Sequence, residues 1–275
     1  MTHAGMILLL ALSPATGPVA TPGPSDEVEA PEVLTQAEHA FTEGANHRND
    51  ADAARPWFRE AARGYDQLWH RGFRNPALAL NRARAHRLAG NLPASIAAFH
   101  DGLAITRYDR PLQAGLEDAR AAVLYPLDGD LATRCRQKAA TTIGTRMSPV
   151  EAYIVAGVGW ILAWVGLVRF VTTRLPWYLL FAGVWLVALG ILGGLWVQDE
   201  RRQSRETAHP LVIVTHETQL RKGNGVSYPP RLDARLPMGV EARERTRRGG
   251  WMQVELAGGD IGWLPESALL QMVGD

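Results

Sequence analysis

Between Ala152 and Val168 the chain reads AYIVAGVGWILAWVGLV, 17 residues without a charge. From Trp177 to Val197 it reads WYLLFAGVWLVALGILGGLWV, a further 21. As α-helix these stretches reach roughly 26 and 32 Å, close to the thickness of a bilayer's hydrocarbon core. Arg169 can snorkel to the interface, which extends the first segment to 152–171 and leaves the second at 177–197. The connection FVTTRLP holds Arg174 and Pro176 and is too short for anything but an antiparallel hairpin. In the first segment Ala152, Ala156, Gly159, Ala163 and Gly166 fall on one helical stripe, where a second helix can approach closely. The second carries the G-x-x-x-G pair Gly190 and Gly194. Neither segment contains Asp, Glu, His or Lys, so the pattern predicts an anchor rather than an ion pathway or proton relay.

Toward the amino terminus, MTHAGMILLLALSPATGPVATPG opens with a short apolar run, Met6 to Leu12, followed by small residues. This resembles a secretory signal over residues 1–20, although no Lys or Arg precedes the run. Residues 21–34, rich in proline and acidic side chains, read as a flexible spacer. From 35 to 135 the pattern is helical, with Ala54, Phe58, Ala61 and Tyr65, then Leu92, Ile96, Phe99 and Leu103, recurring every three or four residues. The segment NRARAHRLAGNLPASIAAFHDGLAI resembles a tetratricopeptide repeat, matched at Asn81, Ala83, His86, Gly90, Leu92, Ile96, Phe99 and Gly102. The second-helix pattern also occurs about 41 residues earlier, which departs from the family's period and predicts a longer loop around Trp69 to Pro76. The resemblance implies an all-α solenoid with a concave groove for a peptide or partner helix. Arg82, Arg84 and Arg87 are the first candidates to meet an acidic ligand, and a solvated charged face is the alternative reading.

Beyond the hairpin, short alternating runs separated by Gly and Pro predict strands over 208–273. Val254 and Leu256 alternate toward a core, Gly258-Gly259 turns a hairpin, and Ile261 and Trp263 alternate back. Leu220, Arg221 and Gly223, Leu236 and Gly239, Gly250 and Trp251, and Gly262 to Pro265 resemble a bacterial SH3-like (SH3b) domain. That resemblance implies an all-β barrel binding peptides or peptidoglycan, with Tyr228, Trp251 and Trp263 as candidate contact residues. At least one of these tryptophans is expected to serve the core instead. The loop RKGNGVSYPPRLDAR is basic, unlike the acidic surface with which eukaryotic SH3 domains bind polyproline.

The formal net charge of +1 supplies no basic field for nucleic acid, so no nucleic-acid partner is expected. A single cysteine, Cys135, excludes an intramolecular disulfide and a multi-cysteine metal cage. The eight histidines form no paired-ligand motif, and no phosphate-binding glycine motif occurs. The sequence therefore predicts neither metal, cofactor nor catalytic residues, and Cys135 reads as a passive thiol.

The order of signal, tetratricopeptide region, membrane hairpin and SH3-like domain is similar to that of the BatE-type proteins of the bacterial aerotolerance operon. That resemblance implies membrane proteins with von Willebrand A domains and a MoxR-type ATPase as partners. It also implies a role in assembly or envelope stress tolerance; the expected function is an inner-membrane scaffold for protein interactions, with peptidoglycan binding through the SH3-like domain as the alternative. Two spans put both soluble regions on one side. The signal and the SH3-like class favour the outside, while Lys138, Arg146, Arg201, Arg202 and Arg205 favour the cytoplasm.

Overall fold

The computed structural model describes residues 24–126, 129–137, 149–207 and 209–272. The signal expected over residues 1–20 lies outside the described residues. The chain divides into two compact units, one built from residues up to Gln137 together with those from His209 onward, the other from Lys138 to Ala208.

The first unit begins with helices α1 (Pro24–Asn46), α2 (Ala51–His70), α3 (Pro76–Leu88), α4 (Leu92–Ile105), α5 (Arg110–Ala121) and the short α6 (Leu131–Cys135). Side chains set their starts. The carboxylate of Asp50 accepts the N–H groups of Asp52 and Ala53, Asn75 accepts that of Leu78, Asn91 that of Ala94 and Asp109 that of Leu112. Proline in the first turn of α3, α4 and α5 adds a preset φ where no N–H is needed. Gly90, at φ +83°, closes α3, and Asn91 N–H returns to the carbonyl of His86 at 2.8 Å. From α1 to α5 consecutive helices pack on one another, and the crossing of α3 and α4 is tight: a Cβ on Gly102 would stand 2.8 Å from that of Ala79. The buried Ser95 is satisfied across the same crossing by donating to the carbonyl of Ala83 at 2.8 Å.

Two sequence expectations change here. Pro24 to Leu34, read as flexible spacer, is the first part of α1: Ala30 is buried, and Val33 and Leu34 pack on the core, which outweighs the helix-breaking tendency of Pro31. The added length upstream of α3 also lies mainly in a helix. α2 continues through Trp69 to His70, and only residues 71–75 separate it from α3. Trp69 is core rather than loop, because Tyr65, Leu68 and Trp69 share one buried face.

The remainder of this unit is a five-stranded antiparallel sheet of β1 (Leu211–Val214), β2 (Glu241–Arg248), β3 (Trp251–Leu256), β4 (Ile261–Pro265) and β5 (Leu269–Gln271). Its spatial order is β4-β3-β2-β1-β5. The sheet is open rather than closed: β4 and β5 are its edges, with only Arg221 bridging to Trp263 beside β4. The expected alternation holds in β3, where Met252, Val254 and Leu256 are buried and the intervening residues are not; in β4 the opposite phase turns inward, since Gly262 and Leu264 are buried while Ile261 is exposed and Trp263 half-buried. Gly259, at φ +90°, makes the turn between them. The architecture is therefore mixed helix and sheet.

Helices and sheet share a single hydrophobic core. Ile96, Phe99, Leu116 and Val123 belong to the same buried cluster as Val212, Ile213, Leu236 and Met252. Helix α4 touches β1 and β5, and a Cβ on Gly239 would meet the side chains of Val123, Leu92 and Ile96. Gly258 N–H donates to the carbonyl of Arg134 at 2.7 Å.

The second unit is a pair of packed helices, α7 (Pro149–Thr173) and α8 (Trp177–Thr207). Part of the predicted small-residue stripe forms their contact: Gly159 lies against Trp185 and Leu189, Ala163 is buried, and Gly166 lies against Phe181 and Ala182. Gly190 and Gly194 face open space. Among the described residues, one helix, Tyr153–Thr173, is long and apolar enough to cross a membrane, and Trp177–Ile191 is a shorter apolar stretch.

Candidate functional site

Two groupings in the first unit bring chemistry-bearing side chains together. The first is the face of β3 and β4 turned away from the core. Because β3 and β4 are antiparallel with Trp251 opposite Pro265 and Gln253 opposite Trp263, the two tryptophans lie diagonally on one face. Both are half-buried. Arg221 pairs with Trp263 through two backbone hydrogen bonds, 3.0 and 2.8 Å, so its side chain shares that face. Its guanidinium donates to the carbonyl of Tyr228 at 2.7 Å, which ties the 222–228 loop to the strand edge. The Tyr228 ring covers Gly223, where a Cβ would stand only 2.4 Å away, yet the residue remains 47% exposed. Trp263 and Tyr228 are thus connected through Arg221, while Trp251 stands diagonal to Trp263 on the same face.

The three candidate arginines on α3 are not equivalent. Arg82 is held by Asp66 at 2.6 Å and Asp101 at 2.7 Å and stacks over the Trp69 ring at 5.3 Å. Its charge is neutralised within the fold. Burial alone would raise the Asp66 carboxyl, but hydrogen bonds and charge from His86 and Arg82 outweigh burial and hold it below the ordinary range. Arg84 is exposed, and Arg87 reaches no closer than 3.7 Å to Asp118. Only these two remain open to solvent, and Arg82 instead links α2, α3 and α4.

The second grouping was invisible in the sequence. At the junction of helices and sheet, Arg120 of α5 makes two hydrogen bonds of 2.7 Å to Glu241 of β2. His100 of α4 stands 3.4 Å from the same carboxylate. Glu241 is only 3% exposed. Burial would push its pKa up, yet the bonds from Arg120 and His100 bring it down to about 2. A second pair, Arg134 with Asp260 at 3.3 Å, joins α6 to the turn before β4. Partners 121 residues apart leave no local pattern, and each of these residues reads alone as surface charge.

Cys135 lies beside this junction, at the end of α6, and is buried. Burial first, and then the Asp260 charge, push its thiol up to about 12, so it holds its proton at neutral pH. Among the described residues no cluster of three or more His, Cys, Asp or Glu side chains is placed to hold a metal ion. Comparison with protein-family models, curated proteins and solved structures finds no match to the chain.

Proposed function

We propose that the protein is a membrane-anchored scaffold for protein interactions, whose soluble body is built from both flanks of a two-span hairpin. One observation carries this reading: residues up to Gln137 and from His209 onward form a single unit, joined where Arg120 meets the buried Glu241. The apolar segment between them leaves that unit and returns to it. If α7 crosses a membrane, a body built from both flanks calls for a second crossing before His209, and the uncharged run Trp177–Val197 can supply it. The large apolar side chains of α7 support the same reading, since Tyr153, Ile154, Trp160, Ile161 and Trp164 are all more than half exposed.

On this reading the hairpin anchors the protein in the inner membrane and the body stands outside the cytoplasm. Its sheet face and the exposed Arg84 and Arg87 are the surfaces presented to partners. The tetratricopeptide and SH3-like resemblances support binding, and the aerotolerance resemblance nominates von Willebrand A-domain membrane proteins and a MoxR-type ATPase. The test is a set of reporter fusions to the full chain, at the carboxy terminus and within residues 174–176, combined with alkaline carbonate extraction. Resistance to extraction and alkaline phosphatase activity only at the carboxy terminus are expected. Activity only in the turn reverses the orientation, and release by carbonate overturns the anchor.

A second reading has the diagonal Trp251 and Trp263, with Arg221 beside them, bind peptidoglycan. Sedimentation of the detergent-solubilised full chain with cell-wall sacculi decides it: retention that Trp251→Ala and Trp263→Ala abolish supports this reading, and no retention excludes it.

A further inference from the structure

We infer that α7 carries a binding site for an anionic phospholipid, with an acyl chain lying along the helix and the phosphate on Arg169. The inference rests on the membrane reading above. Trp160, Ile161, Trp164, Val165, Val168 and Arg169 line a groove of about 320 Å³ on α7. From Trp160 to Arg169 it follows roughly 13 Å of helix. Five of its six lining residues are apolar, and the guanidinium stands at one end. The edge-to-face pair of Trp160 and Trp164, 6.3 Å between ring centres, forms part of its wall.

Charge decides the occupant. No acidic residue occurs between Glu151 and Asp199, so the hairpin contains no counter-ion near Arg169. Glu151 is roughly 27 Å away along α7, and Asp199 lies roughly 33 Å along α8 from its start at Trp177. A guanidinium at the edge of the hydrocarbon region is costly without an opposite charge. Its planar fork matches a phosphate, which can accept two parallel N–H bonds. The neighbouring hydroxyls are engaged elsewhere, since Thr172 donates to the Val168 and Arg169 carbonyls and Thr173 to that of Arg169 at 2.7 Å. The ligand that complements an apolar groove ending in a cation is a lipid with a net negative headgroup. A zwitterionic lipid offers the phosphate together with a cation that repels Arg169 and Arg174.

The test reconstitutes the full chain into phosphatidylcholine vesicles with a minor share of phosphatidylglycerol, with brominated chains on one lipid or the other. Bromine quenches tryptophan fluorescence at contact. Expected is an about fivefold preference for brominated phosphatidylglycerol per molecule, typical of one cation at an anionic lipid surface. Trp160→Phe with Trp164→Phe should remove most of the difference in quenching between the two lipids, and Arg169→Gln should abolish the preference while Arg174→Gln retains it. Equal quenching by both lipids, or a preference that survives Arg169→Gln, overturns the site. Chain that alkaline carbonate strips from the vesicles overturns the membrane reading instead, and the lipid site with it.

Discussion

Helices α4 and α7 are both dominated by apolar residues, yet they dispose of them in opposite ways. In α4, Ile96, Ala98 and Phe99 are fully buried against neighbouring helices and the sheet. In α7, the small residues Gly159, Ala163 and Gly166 face the partner helix, while Trp160, Ile161 and Trp164 face outward. The composition of a helix does not separate these cases, but the placement of its large side chains does. A helix whose bulk points at its neighbours belongs to a core. One whose small residues make the contact and whose bulk points away has the pattern expected in an apolar solvent, which is the basis of the proposed anchor.

The largest expected effect that tests this contrast is Phe99→Ala. Phe99 is 1% exposed, belongs to the buried cluster and packs on Gly115 of α5, so truncation should cost about 3–5 kcal/mol. For a body of this size that lowers the melting temperature by about 10 °C, read by thermal unfolding of the full chain in detergent. An unchanged melting temperature would mean that Phe99 is not packed in the core of the body.

The charged closure of the same body makes the second prediction, in pH. The Glu241 carboxyl is held at about 2, below its ordinary value, so the stabilisation is complete at neutral pH. It is lost as pH falls from about 4.5 toward 2, and the bound carboxylate contributes roughly 3 kcal/mol over that window. Acid unfolding should therefore come at markedly lower pH than in Glu241→Gln, whose stability should vary less across the window. Arg120→Ala, which leaves a buried carboxylate without its main partner, should be the more damaging substitution at pH 7. Identical acid midpoints in wild type and Glu241→Gln would remove Glu241 from the closure.

On α7 the same kind of change should read differently. Val165 faces outward, and on the membrane reading Val165→Lys should cost about 2.5–3.5 kcal/mol of insertion at the centre of a span. More chain should appear in the carbonate-soluble fraction, with no change in the melting temperature of the soluble body. A fall in that temperature comparable to that of Phe99→Ala would place α7 in a protein core and break the contrast.

How far the sequence reveals this arrangement depends on the range of the interactions. Features set by neighbouring residues were readable: the helical periodicity of α2 and α4, the alternation in β3, and the small-residue seam of α7. The Pro-rich start of α1 misled because Pro31 signals a break locally, while Ala30 and Val33 gain burial from α2 and the core. The union of helices and sheet was not readable. It depends on Arg120 meeting Glu241 and Arg134 meeting Asp260, pairs more than a hundred residues apart. Likewise Arg82 looked like a ligand-facing cation because Asp66 and Asp101 lie on other helices. The aromatic candidates fared differently, since strand alternation alone puts Trp251 and Trp263 on one face.

The smallest expected effect lies within the hairpin, between its two kinds of glycine. A Cβ on Gly166 would come within 3.1 Å of Phe181 and 3.2 Å of Ala182, whereas one on Gly190 would meet nothing within 4 Å. Gly166→Leu should therefore force the helices apart at a cost of about 1–3 kcal/mol, and Gly190→Leu should leave their contact intact. Disulfide cross-linking between cysteines introduced at Ala163 and Ala182, in a Cys135→Ser background, reads the separation directly. Cross-linking should fall in the first variant and persist in the second. If both variants cross-link equally, the seam of small residues does not set the distance between α7 and α8. The outward Gly190 face would then have no claim to be distinguished from it, and the contrast between inward small residues and outward bulk would lose its structural basis.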